Sequence, residues 1–494
     1  MNKGMTMPKM LLLLAEVLLF AILAAVTSYH FGVADGLKIT VANLVAYLVP
    51  RTILHRARAT SVAACVVLLL MTACLLTINY LNLVDWTDFG GYTLHQPDLE
   101  GDARKYYKWA WYYYDGSVPW EKVIFPGFPI MILGLFKAFG VNVIWPQALN
   151  LMFTLTAVVL TGMTTRRLLS RRVKATPSAL LASGMLLFFL LTYNLMMDIS
   201  ILKEGSITMS IALAGFAMSS MGASDEERFQ PWRDIVLMAL ACLLLGAVRT
   251  TYLYFVLIGV ALMALPHLRR DWVVALAMIA LAVLGLVIGS QYAAYTFDRH
   301  AKFFQSSMYL QRTYAMEGRH GFYLELIGYY FIYSPWHRIA MLPITSTIQY
   351  FIPFPWLNGE DPTLFNYVCR FNYTWYLLGG VVLFYYAVMS WRRHENMGTW
   401  PWWPVVVFLG IAYVMGGTIT RYVLPIQPLF IPVAMYVLCR VFEGHHRRAF
   451  TRWMIVYVVM VALVLLTCLE LQEGAVSHVL HTPSLLDLLQ SLRH

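Results

Sequence analysis

Charge is scarce in this chain. Asp, Glu, Lys and Arg supply only 13% of its 494 residues, about half the share of a soluble globular domain. The six cysteines are scattered as Cys65, Cys74, Cys242, Cys369, Cys439 and Cys468, with no CxxC pair. That spacing indicates neither a disulfide framework nor a zinc site. A Gly-rich nucleotide loop and a dinucleotide fingerprint are both missing. There is also no soluble domain, no low-complexity linker and no convincing internal repeat. What remains is 60% hydrophobic residues and a mean hydropathy of +0.63. No aqueous core could bury that much apolar surface, so a lipid bilayer must be the solvent for most of it.

Apolar runs of spanning length follow one another near 11–33, 39–54, 60–81, 143–164, 177–195, 205–222, 233–248, 250–266, 272–293, 374–391, 402–418, 423–442 and 453–471. They predict an all-α, polytopic transmembrane helix bundle of about thirteen spans, with 1–494 as a single integral membrane domain. Lys3 and Lys9 precede the first run, but it lacks a clean cleavage site, so we read it as a retained spanning helix.

The net charge of +10 is a topology signal here and does not point to nucleic acid. Arg56 and Arg58; Arg166, Arg167, Arg171, Arg172 and Lys174; Arg228 and Arg233; Arg269 and Arg270; Arg392 and Arg393; and Arg447, Arg448 and Arg452 sit in six links between runs. All six links fall on one side if the N-terminus is cytoplasmic. His445 and His446, beside Arg447, read as neighbours of that last charge cluster. The opposite, outer face then carries two long aromatic-rich segments, at about 82–141 and 295–372. Their short apolar stretches, such as 130–139, predict helices lying in the interface.

The first outer segment runs Asp98-Leu99-Glu100-Gly101-Asp102-Ala103-Arg104-Lys105-Tyr106-Tyr107. Taken alone, Asp102 reads as the cap of a helix in a wet loop, with Tyr106, Trp109 and Ala110 on related faces. Gly116 ends that helix. Phe125-Pro126-Gly127-Phe128-Pro129 follows, then the apolar stretch closed by Gly140, then a span with Asn150 near its start and Arg166-Arg167 at its far end. This ordered set resembles the GT-C superfamily of membrane glycosyltransferases, which includes protein O-mannosyltransferases and lipid A aminoarabinose transferases. The likeness covers 98–167 well and runs more loosely to about 265.

The resemblance implies a sugar donor linked to polyprenyl phosphate, and an acceptor glycan, lipid or protein. Asp102 matches the essential acid of the first outer loop. Many relatives have two adjacent acids there, whereas here the neighbour is Ala103. Glu100 or Asp98 is left to assist, or no second acid at all. A divalent cation is therefore open, because such ions favour more than one carboxylate. Glu204 matches an acid found at the start of a returning helix, and Lys203 beside it suits a phosphate. Both also read as interfacial charges at a helix end.

Arg249 separates two apolar runs. It stands at a hairpin turn, or else mid-membrane at a cost of roughly 2.5–3.5 kcal/mol, and a snorkelling Arg is the plain alternative. Arg421 and Tyr422 open the twelfth span on the outer face, where Arg421 suits a lipid phosphate or an interfacial anchor. The histidines show no metal-ligand spacing. The expected chemistry is sugar transfer with Asp102 and Glu204 as catalytic acids and with Lys203, Arg249, Arg421, Tyr422 and Tyr106 binding substrate or phosphate. The setting is a membrane, taken as a bacterial inner membrane, with the site on the outer face among membrane lipids. An O-antigen-type polysaccharide polymerase and a lipid-linked sugar flippase are the competing expectations.

Overall fold

The computed structural model describes residues 7–56, 61–88, 90–99, 101–117, 127–191, 201–220, 231–265, 397–415, 424–444 and 446–459, with scattered positions in 272–284 and 382–390 and at 463. Among them every regular element is helical: α1 (Met7–Phe31), α2 (Val33–Arg56), α3 (Val62–Asp85), α4 (Gly101–Asp115), α5 (Gly127–Phe139), α6 (Ile144–Leu169), α7 (Pro177–Leu191), α8 (Glu204–Ser219), α9 (Pro231–Val248), α10 (Thr250–Ala264), α11 (Trp402–Met415) and α12 (Gln427–Phe442), the last preceded by a 3-10 turn at Leu424–Ile426.

Four of these helices, α1, α2, α3 and α6, are long and apolar enough to cross a membrane. The expected spans at 272–293, 374–391 and 453–471 are only partly described, and the outer segment 295–372 lies outside the described residues. The chain divides into two compact units. The first comprises Met1–Gly289, Met397–Pro404 and Leu424–Cys439; the second comprises Ser290–Asn396, Val405–Val423 and Arg440–His494.

In the first unit, α6 is the central helix and packs against α2, α7 and α8. Its sequence explains this position. Thr161, Thr164 and Thr165 donate their hydroxyls back to the carbonyls of Ala157, Leu160 and Thr161, so these polar side chains can be buried without a partner on another helix. Gly162 and Gly184 face one another, which brings α6 and α7 into the close approach that small residues permit. The α1–α2 turn falls at Gly32, with φ +83°, so α2 begins at Val33, earlier than the expected start at 39. Ser61 caps α3 by accepting the amide of Ala64 at 3.1 Å.

α6 and α8 run parallel and pack directly on one another, while α7 packs on α6 and α3. The side-chain amide of Asn150 near the start of α6 donates to the carbonyl of Leu202, just before α8, at 2.9 Å. At the other end, Arg167 of α6 donates to the carbonyl of Phe216 of α8 at 3.1 Å and lies 3.8 Å over its ring. Arg233 is 5.8 Å from the same ring and pairs with the fully buried Asp234 at 2.9 Å. The 13 residues from Lys203 to Phe216 separate these ends by about 20 Å.

One polar cluster lies within the helices themselves. Glu16 of α1 accepts from Arg51 of α2 at 2.8 Å and from the hydroxyl of Tyr47 at 2.7 Å. An acid in an apolar helix is costly unless paired, and Arg51 supplies the charge while Tyr47 supplies a second donor. In the second unit, His446 is 2% exposed, with its Nδ1 3.1 Å from the hydroxyl of Tyr385. Although it neighbours Arg447 in sequence, it is buried with its ring beside Tyr385. His445 lies outside the described residues.

Arg51→Leu is expected to cost about 3 kcal/mol, since it strands the Glu16 carboxylate among apolar side chains, while Glu16→Leu/Arg51→Leu recovers most of that loss. Thermal unfolding of the protein in detergent measures both. A double variant as unstable as Arg51→Leu alone contradicts the pairing.

Candidate functional site

Asp102, Tyr106, Lys203, Glu204 and Arg249 lie at the end of the first unit that carries α4 and α5. α4 begins at Gly101, and Asp102 occupies its first turn, where the helix dipole favours a carboxylate. Asp102 is thus the second residue of the helix. It is partly buried, and Tyr106 follows one turn later on the same face. α4 stops at Asp115, with Gly116 at φ +77°, and α5 stops at Phe139, with Gly140 at φ +83°. These are the two C-terminal glycines expected from the sequence.

α4 and α5 hold each other through edge-to-face aromatic pairs. Tyr106 meets Phe128 at 5.6 Å between ring centroids, and Tyr107 meets Phe136 at 5.3 Å. The hydroxyl of Tyr107 donates to the carbonyl of His95 at 2.9 Å. Burial raises its pKa well above the usual phenol value, so it remains a neutral donor. The amide of Val143 donates to the carbonyl of Leu94 at 2.9 Å, joining this segment to the start of α6.

Lys203 and Glu204 open α8 and are only 5% and 1% exposed. Lys203 takes the N-cap position, and its carbonyl accepts from the hydroxyl of Ser206 at 2.7 Å. Its ammonium lies 5.4 Å from the centroid of the Tyr106 ring. A desolvated cation over an aromatic face gains about 2 kcal/mol. This contact joins the second candidate cluster to the helix that bears Asp102.

Arg249 resolves the alternatives left open by its sequence. It is an extended residue, with φ −161° and ψ 93°, between α9 and α10. The chain bends there, and no continuous helix carries Arg249 through the middle. It is 6% exposed, with its guanidinium 5.6 Å from the Tyr252 ring. α5 connects this bend to the rest of the site, because Gly127, which precedes Phe128, lies against the carbonyl of Ala247. Arg421 and Tyr422 lie outside the described residues, as does Glu100, while Asp98 is exposed. Among the described residues no group of three or more His, Cys, Asp or Glu side chains could hold a metal ion.

Three participants carried no assigned role in the sequence reading: Phe128, Gly127 and Asn150. Gly127 could have been found, because a Gly between two Phe-Pro pairs signals a close backbone approach. Asn150 is fully buried, and its apolar neighbours hide it from any average of hydropathy.

A methyl group at Gly127 would overlap the Ala247 carbonyl, whereas one at Gly134 on the same helix meets nothing within 4 Å. Gly127→Ala should therefore lower stability by about 1–3 kcal/mol, and Gly134→Ala should be neutral or stabilising by up to about 1 kcal/mol. Thermal unfolding of the two variants side by side checks this, and equal behaviour contradicts the docking of α5 on α9. The chain matches no family model, no curated protein and no solved structure.

Proposed function

We propose that this chain is a membrane glycosyltransferase that moves a sugar from a polyprenyl-phosphate donor to an acceptor on the outer face. The observation that carries the reading is the placement of buried Lys203 over Tyr106, one helical turn from Asp102. A buried cation thereby shares a helix face with a carboxylate, which suits a reaction that expels an anion and takes up a proton.

In the proposed step, the acceptor oxygen attacks the anomeric carbon. The bond from that carbon to the phosphate oxygen breaks with inversion, and the hydroxyl proton passes to Asp102. The lipid phosphate leaves with the bonding pair. Lys203, Arg249 and Arg421 neutralise its charge, most effectively in a partly dry site. Glu204, in the first turn of α8, is the second carboxylate near the donor, and Tyr106 and Tyr422 line the sugar and phosphate path. The missing nucleotide loop fits a donor that is not a nucleotide sugar.

The topology belonging to this reading has about thirteen spans and a cytoplasmic N-terminus. It places Asp102, Lys203 and Arg249 outside and Arg166, Arg167 and Arg233 inside. A lipid-linked sugar flippase is the second reading, favoured by the charged Glu16–Arg51 pair inside α1 and α2.

Membranes carrying Asp102→Asn are assayed with a panel of radiolabelled polyprenyl-phosphate sugars. Transfer should fall at least about a hundredfold, the lower range for loss of a general base. Transfer near the wild-type rate removes Asp102 from the mechanism. Translocation of labelled lipid without transfer, in wild type and variant alike, favours the flippase.

A further inference from the structure

Lys203 and Glu204 begin a helix without help from a capping side chain. The two residues before them, Ile201 and Leu202, are non-helical and buried. A buried carbonyl in such a stretch needs a donor, and leaving it without one costs about 1–3 kcal/mol. For Leu202 that donor is the Asn150 side chain, at 2.9 Å. Asn150 is fully buried on α6. One turn earlier, Gln147 anchors the same helix by donating to the carbonyl of Asn79 on α3 at 3.1 Å. The donor side of the bond is therefore fixed to the centre of the bundle.

The Leu202 carbonyl belongs to the peptide whose nitrogen is that of Lys203. Holding this carbonyl fixes the plane of the peptide, and with it the direction in which the Lys203 side chain leaves the helix start. The ammonium reaches Tyr106 from there. Without the Asn150 donor, the peptide is free to rotate toward another donor and carries Lys203 off the Tyr106 ring. An aspartate of the same size would present an oxygen to the carbonyl and drive the peptide away.

We propose that Asn150 is a positioning residue: it orients Lys203 for the lipid phosphate by holding the Leu202 carbonyl. This rests on the transferase reading above, which makes Lys203 a phosphate partner. Asn150 itself touches neither sugar nor phosphate.

The test is a double-mutant cycle on the full-length chain in nanodiscs, with a fluorescent polyprenyl phosphate as the probe and its Kd as the readout. Thermal unfolding establishes that each variant is folded. Lys203→Met and Asn150→Ala should each raise Kd about tenfold, the scale of one hydrogen bond to a charged group. Because Asn150 acts through Lys203, the double variant should also stand about tenfold above wild type and not about a hundredfold. Asn150→Asp should match Asn150→Ala, and it stands in for that variant should the alanine protein fail to fold. A double variant equal to the product of the singles overturns the proposal, because a merely structural asparagine acts independently of Lys203. So does an Asn150 variant that binds like wild type while Lys203→Met binds weakly, and in that case the transferase reading survives. If Lys203→Met itself binds like wild type, Lys203 has no phosphate role, and the proposal fails together with the reading beneath it.

Discussion

A charged side chain taken out of water costs several kcal/mol unless another charge, a dipole or a ring compensates it. In an apolar helical bundle this constraint decides where charges can stand. Four charged side chains show an identifiable answer to it. Glu16 has Arg51 and Tyr47, Asp234 has Arg233, Lys203 has the face of Tyr106, and Arg249 has that of Tyr252. The first two answers are neutralising pairs. The last two include aromatic faces, and both stand at the α4–α5 end.

The backbone makes the arrangement durable. α6 and α8 are parallel and bound to one another at both ends, by Asn150 to Leu202 at one and by Arg167 to Phe216 at the other. The arginine end and the Lys203 end are therefore held about 20 Å apart, about two thirds of the thickness of a hydrocarbon core. α5 adds the third tie, because Gly127 lets it sit directly on the end of α9.

Much of this was legible in the residues. Hydropathy located α1, α2, α3 and α6, and the glycines at 116 and 140 marked where α4 and α5 stop. The grouping of Asp102, Tyr106 and Lys203 followed from putting the right loops on one side. What stayed hidden depends on single side chains in apolar surroundings. Glu16 lies in a run whose average hydropathy conceals it, and its partner is 35 positions away, beyond any local pattern. Asn150 reads as an ordinary polar residue near a helix start, because its partner, the carbonyl of Leu202, lies 52 positions away. The burial of His446 beside Tyr385 was hidden too, because its place next to Arg447 in sequence says nothing of a partner 61 positions away. The second outer segment and the Arg421 cluster remain expectations of the sequence.

The functional account needs the α4–α5 end to face outward and the arginine end to face the cytoplasm. Single cysteines in place of exposed Ser117 and exposed Lys174, in an otherwise cysteine-free chain, report the two sides when intact cells are treated with a membrane-impermeant maleimide. The account predicts rapid labelling at 117 and labelling at 174 only after the cells are opened. Labelling at 174 in intact cells, with 117 protected, would place the candidate site in the cytoplasm and contradict it.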